Sequence, residues 1–411
     1  MDLKNKESLK GEILSRIDMS SEIRDEDVNA IIDSCILREC GNKYMSLRDR
    51  LQLRNELFNS IRRLDVLSEL LEDDDITEIM INGPEKIFYE KKGQIYLSEK
   101  RFENSDRLMT VIQQIVGEAN RMVNESSPIV DFILKDGSRV NVVLKGISVD
   151  GSAVTIRKFP KEIMDMKRLI ELGSLDENVA GFLGLLVASG YNIFISGGTG
   201  AGKTTFLNAL TEYVPQGERV VTIEDSAELQ VVGIDNLVRL EARNANVEGK
   251  NMITIRDLIR CSLRMRPDRI IVGEVRDEAA IDMLQAMNTG HDGSLSTGHA
   301  NSAHEMLLRL ESMVLMGANL PLKAIRQQIA SALDIVVHLG RLRDRSRRVL
   351  EISEVTGMEN EEVTTRQLYK FVETGTENDT VVGELRKIND LMNVNKLMNA
   401  GLIEIYRERY V

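Results

Sequence analysis

Beyond about residue 160, short runs of apolar residues alternate with longer segments whose apolar residues recur at helical spacing. Short apolar runs are typical of strands buried on both faces, and the longer segments are typical of helices that cover a sheet. The alternation therefore predicts an α/β fold with a mostly parallel sheet and helices on both faces. The predicted strands span 192–196, 220–224, 270–274 and 295–299, and the predicted helices span 180–187, 255–265, 278–287 and 303–316, with another helix beginning at residue 203.

The chain before residue 160 follows a different pattern. Residues 1–60 interleave charged and apolar residues without proline, which predicts a helical segment. Residues 61–158 contain short strand patterns separated by turns such as Asn82-Gly83-Pro84, which predicts a smaller α+β domain. Its strands are expected at 78–81, 87–90, 94–97, 139–144 and 153–158, and a helix is expected at 105–123.

A linker is predicted at Phe159-Pro160-Lys161, because proline disfavours a helical conformation of the residue before it. The chain has 411 residues, which is too long for one core at roughly 150 residues per domain. We therefore expect three parts. They are a helical N-terminal segment (1–60), an α+β domain (61–158) and an α/β domain with a C-terminal extension (159–411).

The composition narrows the class of protein. There are 53 Lys and Arg against 65 Asp and Glu, so the formal net charge of −12 excludes a globally basic surface for duplex DNA. Tryptophan is absent and aromatic residues are 4%, which disfavours a stacking platform for single-stranded nucleic acid. Residues 178–202 carry no charged side chain. The break at Ala188-Ser189-Gly190 favours a buried helix followed by a strand over a transmembrane span.

The strongest chemical signal is the segment 197–204, which reads G-x-x-x-x-G-K-T between a predicted strand and a predicted helix. Glycines let several backbone N–H groups point into one concavity, and the helix N-terminus adds positive partial charge. Lys203 would supply a full charge to the β- and γ-phosphates, and the Thr204 hydroxyl is a hard oxygen ligand for Mg²⁺. The residues predicted to bind a nucleoside triphosphate are Gly198, Thr199, Gly200, Ala201, Gly202, Lys203, Thr204 and Thr205.

Polar residues stand at the ends of three further predicted strands. They are Glu224 and Asp225 after the second strand, Glu274 after the third, and His299 after the fourth. Because ligands of open α/β sheets bind at the carboxyl ends of the strands, these groups are expected beside segment 197–204, the predicted phosphate-binding loop or P-loop. A carboxylate at this edge can hold a water of Mg²⁺ or orient an attacking water. One such carboxylate alone is often a turn or cap residue, but the whole set favours catalysis.

In four segments the sequence resembles the ATPases of type II and type IV secretion systems and type IV pili. The segment 197–205 is similar to their Walker A motif, 222–225 to the Asp box, 266–277 to Walker B and 289–301 to the His box. The motifs follow the order of that family, and the branch that the sequence most resembles is the CpaF-type ATPase of tight-adherence (Tad/Flp) pili. Residues 136–141 and 155–159 resemble the amino-terminal domain of that branch. The resemblance implies a RecA-like P-loop ATPase domain behind a PAS-like α+β domain.

The resemblance also implies roles for individual residues. Glu224 would orient or deprotonate the attacking water, Glu274 would act on Mg²⁺ through a water, and His299 would sense the γ-phosphate, with His291 just before it. Mg²⁺ would thus be held by Thr204 directly and by Glu274 through water. Members of the family are hexamers in which the amino-terminal domain of one subunit packs on the ATPase domain of the next. Arginines would then approach the phosphates from outside the P-loop, and the candidates are Arg139, Arg157, Arg239 and Arg243.

These implications predict a homo-hexameric ATPase that uses ATP and Mg²⁺ to power pilus assembly or protein secretion across the inner membrane. Inner-membrane platform proteins are its expected partners and nucleic acid is not. The chain begins without the apolar run of a signal peptide, and the resemblance implies a location at the cytoplasmic face of the membrane. A RecA-like nucleic-acid motor is the main alternative, which the acidic charge opposes. A nucleotide-binding scaffold without turnover is another, which Glu224 and Glu274 oppose.

A basic run near the C-terminal third of the chain has no assigned role. It contains Arg341, Arg343, Arg345, Arg347 and Arg348. Such a run is typical of a solvated strand edge or turn. Contact with an acidic partner or with lipid headgroups is the second hypothesis.

Overall fold

The computed structural model describes residues 3–17, 24–39, 45–91, 93–159, 164–243, 245 and 251–411. The chain divides into two compact units, Met1–Lys161 and Glu162–Val411. The predicted linker lies at this division, but Pro160 and Lys161 are outside the described residues. The three-part organisation stays a prediction.

The first unit begins with three helices, α1 (Leu3–Arg16), α2 (Asp25–Glu39) and α3 (Leu47–Arg62). Apolar residues at helical spacing bring these helices together around a core that includes Ile13, Ile32 and Leu57. The Ser46 side chain accepts a hydrogen bond from the Asp49 backbone N–H and so caps the start of α3. This helix continues two residues beyond residue 60, where the helical segment was predicted to end.

The rest of the first unit is an antiparallel sheet with one long helix against it. Its elements are α4 (Leu67–Glu72), β1 (Ile76–Asn82), β2 (Lys86–Lys91), β3 (Gln94–Leu97), α5 (Ser105–Glu118), β4 (Ile129–Ile133), β5 (Arg139–Val143) and β6 (Ala153–Arg157). In this part of the described chain, the strand order is β3-β2-β1-β6-β5-β4. The apolar face of α5, which includes Val111 and Ile115, packs on the inward residues of the central strands, such as Ile79 and Ile156.

Two features of this region differ from the prediction. Strand β4 was not predicted, because its apolar residues do not alternate cleanly and Ile129 at its start is exposed. Helix α5 ends at Glu118, five residues before the predicted end. The chain turns there through Asn120, whose φ of 52° is incompatible with a continuing right-handed helix.

The second unit consists of a mixed sheet with helices on both faces. Its strands are β7 (Ile193–Gly197), β8 (Val220–Glu224), β9 (Leu237–Glu241), β10 (Arg269–Val272), β11 (Leu295–Gly298), β12 (Ile335–Arg341), β13 (Arg347–Glu359), β14 (Glu362–Glu377) and β15 (Thr380–Lys387). Its helices are α6 (Met166–Glu171), α7 (Glu177–Ala188), α8 (Lys203–Thr211), α9 (Ile255–Ser262), α10 (Ala279–Asn288), α11 (Ala303–Gly317), α12 (Leu322–Ala332), α13 (Asn395–Asn399) and α14 (Ile403–Tyr410).

Among the described residues, the strand order is β15-β14-β13-β12-β7-β11-β10-β8-β9. The neighbouring strands β12, β7, β11, β10, β8 and β9 pair in parallel in this order. The pairs β12–β13, β13–β14 and β14–β15 are antiparallel. Apolar residues cover both faces, since α6–α8, α13 and α14 pack on one face and α9–α12 pack on the other. The predicted α/β fold with a parallel-rich sheet behind a smaller α+β domain is confirmed. Strands β10 and β11 lie between β7 and β8, so β7 is at a change of strand order where ligands bind in such sheets.

The C-terminal extension departs from the regular alternation. After α12, four strands follow without an intervening helix, and β13 and β14 are long, with 13 and 16 residues. The buried carboxylate of Glu354 on β13 accepts hydrogen bonds from the backbone N–H groups of Met392 (2.8 Å) and Asn393 (2.7 Å). The last helices are thereby anchored to the sheet.

The uncharged stretch 178–202 is divided among α7, β7 and the loop that follows. In the described ranges, the helices are too short or too polar to cross a bilayer.

Candidate nucleotide site

The P-loop begins where the fully buried strand β7 ends. A Cβ atom on Gly197 would stand 2.6 Å from the Leu339 carbonyl oxygen, so the backbone there leaves no room for a side chain. Gly200 (φ 71°) and Gly202 (φ 90°) adopt the left-handed conformation that glycine tolerates best. Gly202 precedes α8 and has no side chain to cap it, so no side-chain cap competes with an anion for the first N–H groups of the helix.

Lys203 connects the P-loop to His299. Its Nζ donates a hydrogen bond to the Gly198 carbonyl (3.1 Å) and lies 3.2 Å from His299 Nδ1. Because an ammonium group can only donate, Nδ1 accepts and the imidazole proton resides on Nε2. Burial lowers the pKa of His299, and the Lys203 charge lowers it further. His299 is therefore a neutral acceptor toward Lys203.

Glu274 lies on the other side of His299. His299 Nε2 is 3.0 Å from Glu274 Oε1, and Arg276 Nη2 donates to Glu274 Oε2 at 2.7 Å. Burial alone raises the pKa of Glu274, but the hydrogen bond from Arg276 and the neighbouring cations outweigh it and lower the pKa. Glu274 is thus ionised at neutral pH. Arg276 had no assigned role in the sequence, although a cation two residues after a strand-end carboxylate falls on the same side of an extended chain.

Glu224 ends β8 and is almost fully buried, with 3% of its surface exposed. Its Oε1 accepts hydrogen bonds from the backbone N–H groups of Glu228 (3.0 Å) and Leu229 (2.9 Å). Burial raises the pKa of Glu224 to about 7, and these two hydrogen bonds only partly oppose it. The side chain packs against Gly273, where a Cβ would stand 2.9 Å from Glu224 Cγ. A glycine before Glu274 is therefore needed to admit Glu224.

The ends of these strands are hydrogen-bonded to one another. Gly273 N–H donates to the Ile223 carbonyl (2.8 Å), and Thr297 Oγ1 donates to the Gly273 carbonyl (2.7 Å). Lys203 contacts His299, and His299 contacts Glu274, so these three side chains form one line of contacts. Glu224 lies one strand away, at the end of β8.

The other candidates have different surroundings. Arg239 Nη2 donates to the Leu229 carbonyl (2.9 Å), so it contacts the loop that holds Glu224. Arg243 Nε donates to the Asn251 carbonyl (2.9 Å). His291 Nδ1 lies 3.0 Å from the Ala286 carbonyl. In the first unit, Arg139 on β5 stands opposite Arg157 on β6. Direct phosphate contacts of these arginines stay predictions.

The basic run lies at the turn of the β12–β13 hairpin, and one of its arginines contacts the P-loop. Arg347 Nε donates a hydrogen bond to the Gly200 carbonyl at 2.8 Å. By contrast, Arg343 pairs with Glu373 of β14, and Arg348 donates to the Gly173 carbonyl. A solvated turn describes only part of this run, because Arg347 is a neighbour of the phosphate-binding loop.

These residues fit a magnesium nucleotide. Mg²⁺ usually keeps several waters and binds one or two protein groups together with phosphates. The described residues contain no cluster of three or more His, Cys, Asp or Glu side chains that could hold a metal ion by themselves. Glu274 Oε1 is buried and accepts no hydrogen bond of good geometry from the described residues. A metal-bound water would satisfy this acceptor, and the Thr204 hydroxyl at the start of α8 offers a direct ligand.

The family follows from the match of residues 62–408 to the family described as Type II/IV secretion system protein. This match spans most of the chain, and the chain belongs to that family. The predicted resemblance to the superfamily is thereby confirmed.

Two curated relatives are similar over most of their length. The chain is 35% identical over 294 residues to a putative conjugal transfer protein of Mycobacterium tuberculosis, covering 70% of this chain and 83% of the relative. It is 33% identical over 317 residues to the type IV secretion system protein PtlH of Bordetella pertussis, covering 70% and 93%. Among solved structures, it resembles the pilus retraction motor PilT with bound ADP, with a TM-score of 0.51, 21% identity and coverage of 84% and 88%. At that identity the likeness shows the fold alone.

Proposed function

We propose that this chain binds and hydrolyses Mg-ATP at the carboxyl edge of β7, β8, β10 and β11, as the motor of a secretion or pilus machine. The observation that carries the proposal is the line of Lys203, His299 and Glu274 beside the P-loop, with the buried carboxylate of Glu224 one strand away. A protein that only bound nucleotide would need no such acids. The relatives support the secretion context, and they do not favour a nucleic-acid motor.

Each of these side chains has a distinct task in the proposed reaction. Lys203 moves from the Gly198 carbonyl and His299 to the phosphates, where its charge stabilises the transferring group. His299 then loses its contact with Lys203, and this change would allow His299 to sense the γ-phosphate. Glu224 accepts the proton of the attacking water. Bound Mg²⁺ would neutralise phosphate charge and would be held by Thr204 and, through water, by Glu274.

The pH dependence of turnover should reflect Glu224. Because burial raises the pKa of Glu224 to about 7, the carboxyl is protonated below that pH and cannot accept a proton. We expect kcat to rise as the pH increases through about 7 and to level off above it, measured from about pH 5.5 to 8.5 at saturating Mg-ATP. The residual activity of Glu224→Gln should lack this rise. A wild-type kcat that falls with increasing pH across this range would contradict the assignment.

The branch of the family and the partners of this chain are also part of the proposal. The four motifs support the CpaF-type branch, in which the chain would act at the cytoplasmic face of the membrane with inner-membrane platform proteins to assemble a Tad or type IV pilus. The type IV secretion relative PtlH supports the neighbouring possibility of protein secretion. We propose a homo-hexamer for either task, in which a neighbouring subunit supplies part of each site. The arginines that could approach the phosphates from outside the P-loop are Arg139, Arg157, Arg239 and Arg243.

A shared site makes activity depend on assembly. We expect the chain to form hexamers with Mg-ATP and to lose activity per subunit on dilution through the micromolar range. Mass measurement and ATPase assay on the same dilution series would check this. Constant activity per subunit while the mass stays monomeric would show that each site is complete within one chain.

A further inference from the structure

The sheet topology places the β12–β13 hairpin beside the P-loop. Strand β12 is parallel to β7 and adjacent to it, with Leu339 opposite Gly197. Both strands therefore reach the same edge of the sheet. Strand β13 returns from that edge and begins at Arg347. Its first side chain is consequently close to the phosphate-binding loop.

The turn before Arg347 is held by other parts of the C-terminal extension. Asp344 accepts hydrogen bonds from the Ser346 hydroxyl (2.6 Å), the Ser346 N–H (2.9 Å) and the Val381 N–H (2.7 Å). Arg348 donates to the carbonyls of Gly173 (2.8 Å) and Val381 (3.1 Å). Burial raises the pKa of Asp344, but its hydrogen bonds outweigh it and lower the pKa to about 2. These hydrogen bonds therefore hold the turn in a defined conformation.

Arg347 extends from this turn to the P-loop. Its Nε donates to the Gly200 carbonyl at 2.8 Å, and a Cβ on Gly202 would lie 3.4 Å from its Cδ. The Gly200 carbonyl belongs to the same peptide unit as the Ala201 N–H, which donates to the Gly198 carbonyl at 3.3 Å. One peptide of the loop is thus held from both ends, by Arg347 through its oxygen and by Gly198 through its N–H.

We propose that Arg347 is a positioning residue that keeps the P-loop in the shape that receives phosphate, and that it links the C-terminal extension to nucleotide binding. The inference rests on the proposed function, because it concerns the same nucleotide site. Holding a loop in its bound shape raises affinity by lowering the cost of ordering. Arg347 acts on the loop and not on the reacting water. Its loss should therefore weaken ADP and ATP binding alike and leave the chemical step nearly unchanged.

The test is nucleotide affinity in three variants of the full chain. With fluorescent ADP and ATP analogues, we expect Arg347→Ala to bind both about three- to tenfold more weakly, the size of one lost solvent-exposed hydrogen bond. KM should rise to the same extent while kcat stays near that of wild type. Arg347→Lys keeps the charge but loses the planar N–H donor, so it should recover only part of the affinity. Arg343→Ala removes the same charge from the same hairpin and should bind like wild type, because Arg343 contacts Glu373.

Hydrogen exchange gives a second readout that does not depend on turnover. Without nucleotide, a peptide that covers residues 197–203 should exchange faster in Arg347→Ala than in wild type or in Arg343→Ala. Wild-type affinity of Arg347→Ala, with binding abolished in Lys203→Ala, would overturn this proposal and leave the proposed function intact. Equal weakening in Arg343→Ala would also overturn it, since only charge would then matter. If wild type binds neither nucleotide, the proposed function itself is wrong.

Discussion

Replacing Lys203 with alanine is expected to abolish ATP turnover and to weaken ATP binding. Lys203 is the P-loop side chain that carries a full positive charge, and only 7% of its surface is exposed. A charge in such a site interacts more strongly with phosphate than a solvated one does. Hydrogen bonds to charged groups contribute about 1.5–3 kcal/mol each, so affinity should fall at least about tenfold. The rate should fall by a further 10²–10³ or so, because the lost donor also stabilises the transition state.

Steady-state phosphate release and nucleotide affinity would be measured together for this variant. Lys323→Ala is a matched control, since it removes the same side chain from α12, where Lys323 pairs with Glu361 on the surface. The control should hydrolyse ATP like wild type. Unchanged ATPase activity in Lys203→Ala would refute the site.

Glu224→Gln is expected to keep ATP binding and to slow turnover by about 10²–10⁴, the usual contribution of a general base. The amide is nearly isosteric, and its oxygen can still accept the N–H groups of Glu228 and Leu229. The strand end and the P-loop should therefore keep their shape. The variant lacks the negative charge that takes a proton from water.

Glu274→Gln should behave differently, because the proposed task of Glu274 is with hydrated Mg²⁺. Its loss should raise the Mg²⁺ concentration needed for half-maximal activity as well as slow hydrolysis. It also removes the negative charge beside Arg276 and His299, so the Arg276 guanidinium would lose its ion-pair partner. Affinity and turnover of both variants across a Mg²⁺ series distinguish the two acids. Normal turnover in Glu224→Gln, together with a Glu274→Gln variant that is inactive but binds Mg-ATP with wild-type metal dependence, would reverse the assignment.

The parts of the site that sequence reasoning found share one property. Lys203, Glu224, Glu274 and His299 all follow apolar strands, and the ends of parallel strands meet at one edge of a sheet, so local patterns were enough. The strand pattern also made Glu224 and Glu274 candidates without any knowledge of the order in which the strands pair.

The residues that sequence reasoning missed depend on long-range pairing. Arg347 is near the P-loop only because β12 is added beside β7, some 140 residues away in sequence, and nothing in a local pattern specifies that neighbour. Arg276 is an exception, because it donates to the Glu274 carboxylate only two residues before it, and a local pattern could have found this contact. The raised pKa of Glu224 also could not be read from the sequence, since it arises from burial against Gly273 and the loop at Glu228.

The most direct test of the central claim is phosphate release from ATP under single-turnover conditions, with enzyme in excess over labelled nucleotide and Mg²⁺ present. This measurement needs no membrane partner, and quenching in acid frees any bound phosphate, so the signal does not depend on product release. We predict that the wild-type chain converts the bound ATP to ADP and phosphate, that Glu224→Gln holds ATP without converting it at a comparable rate, and that Lys203→Ala does neither. A wild-type chain that binds Mg-ATP and releases no more phosphate than Glu224→Gln would contradict the account and would leave a nucleotide-binding protein without hydrolysis.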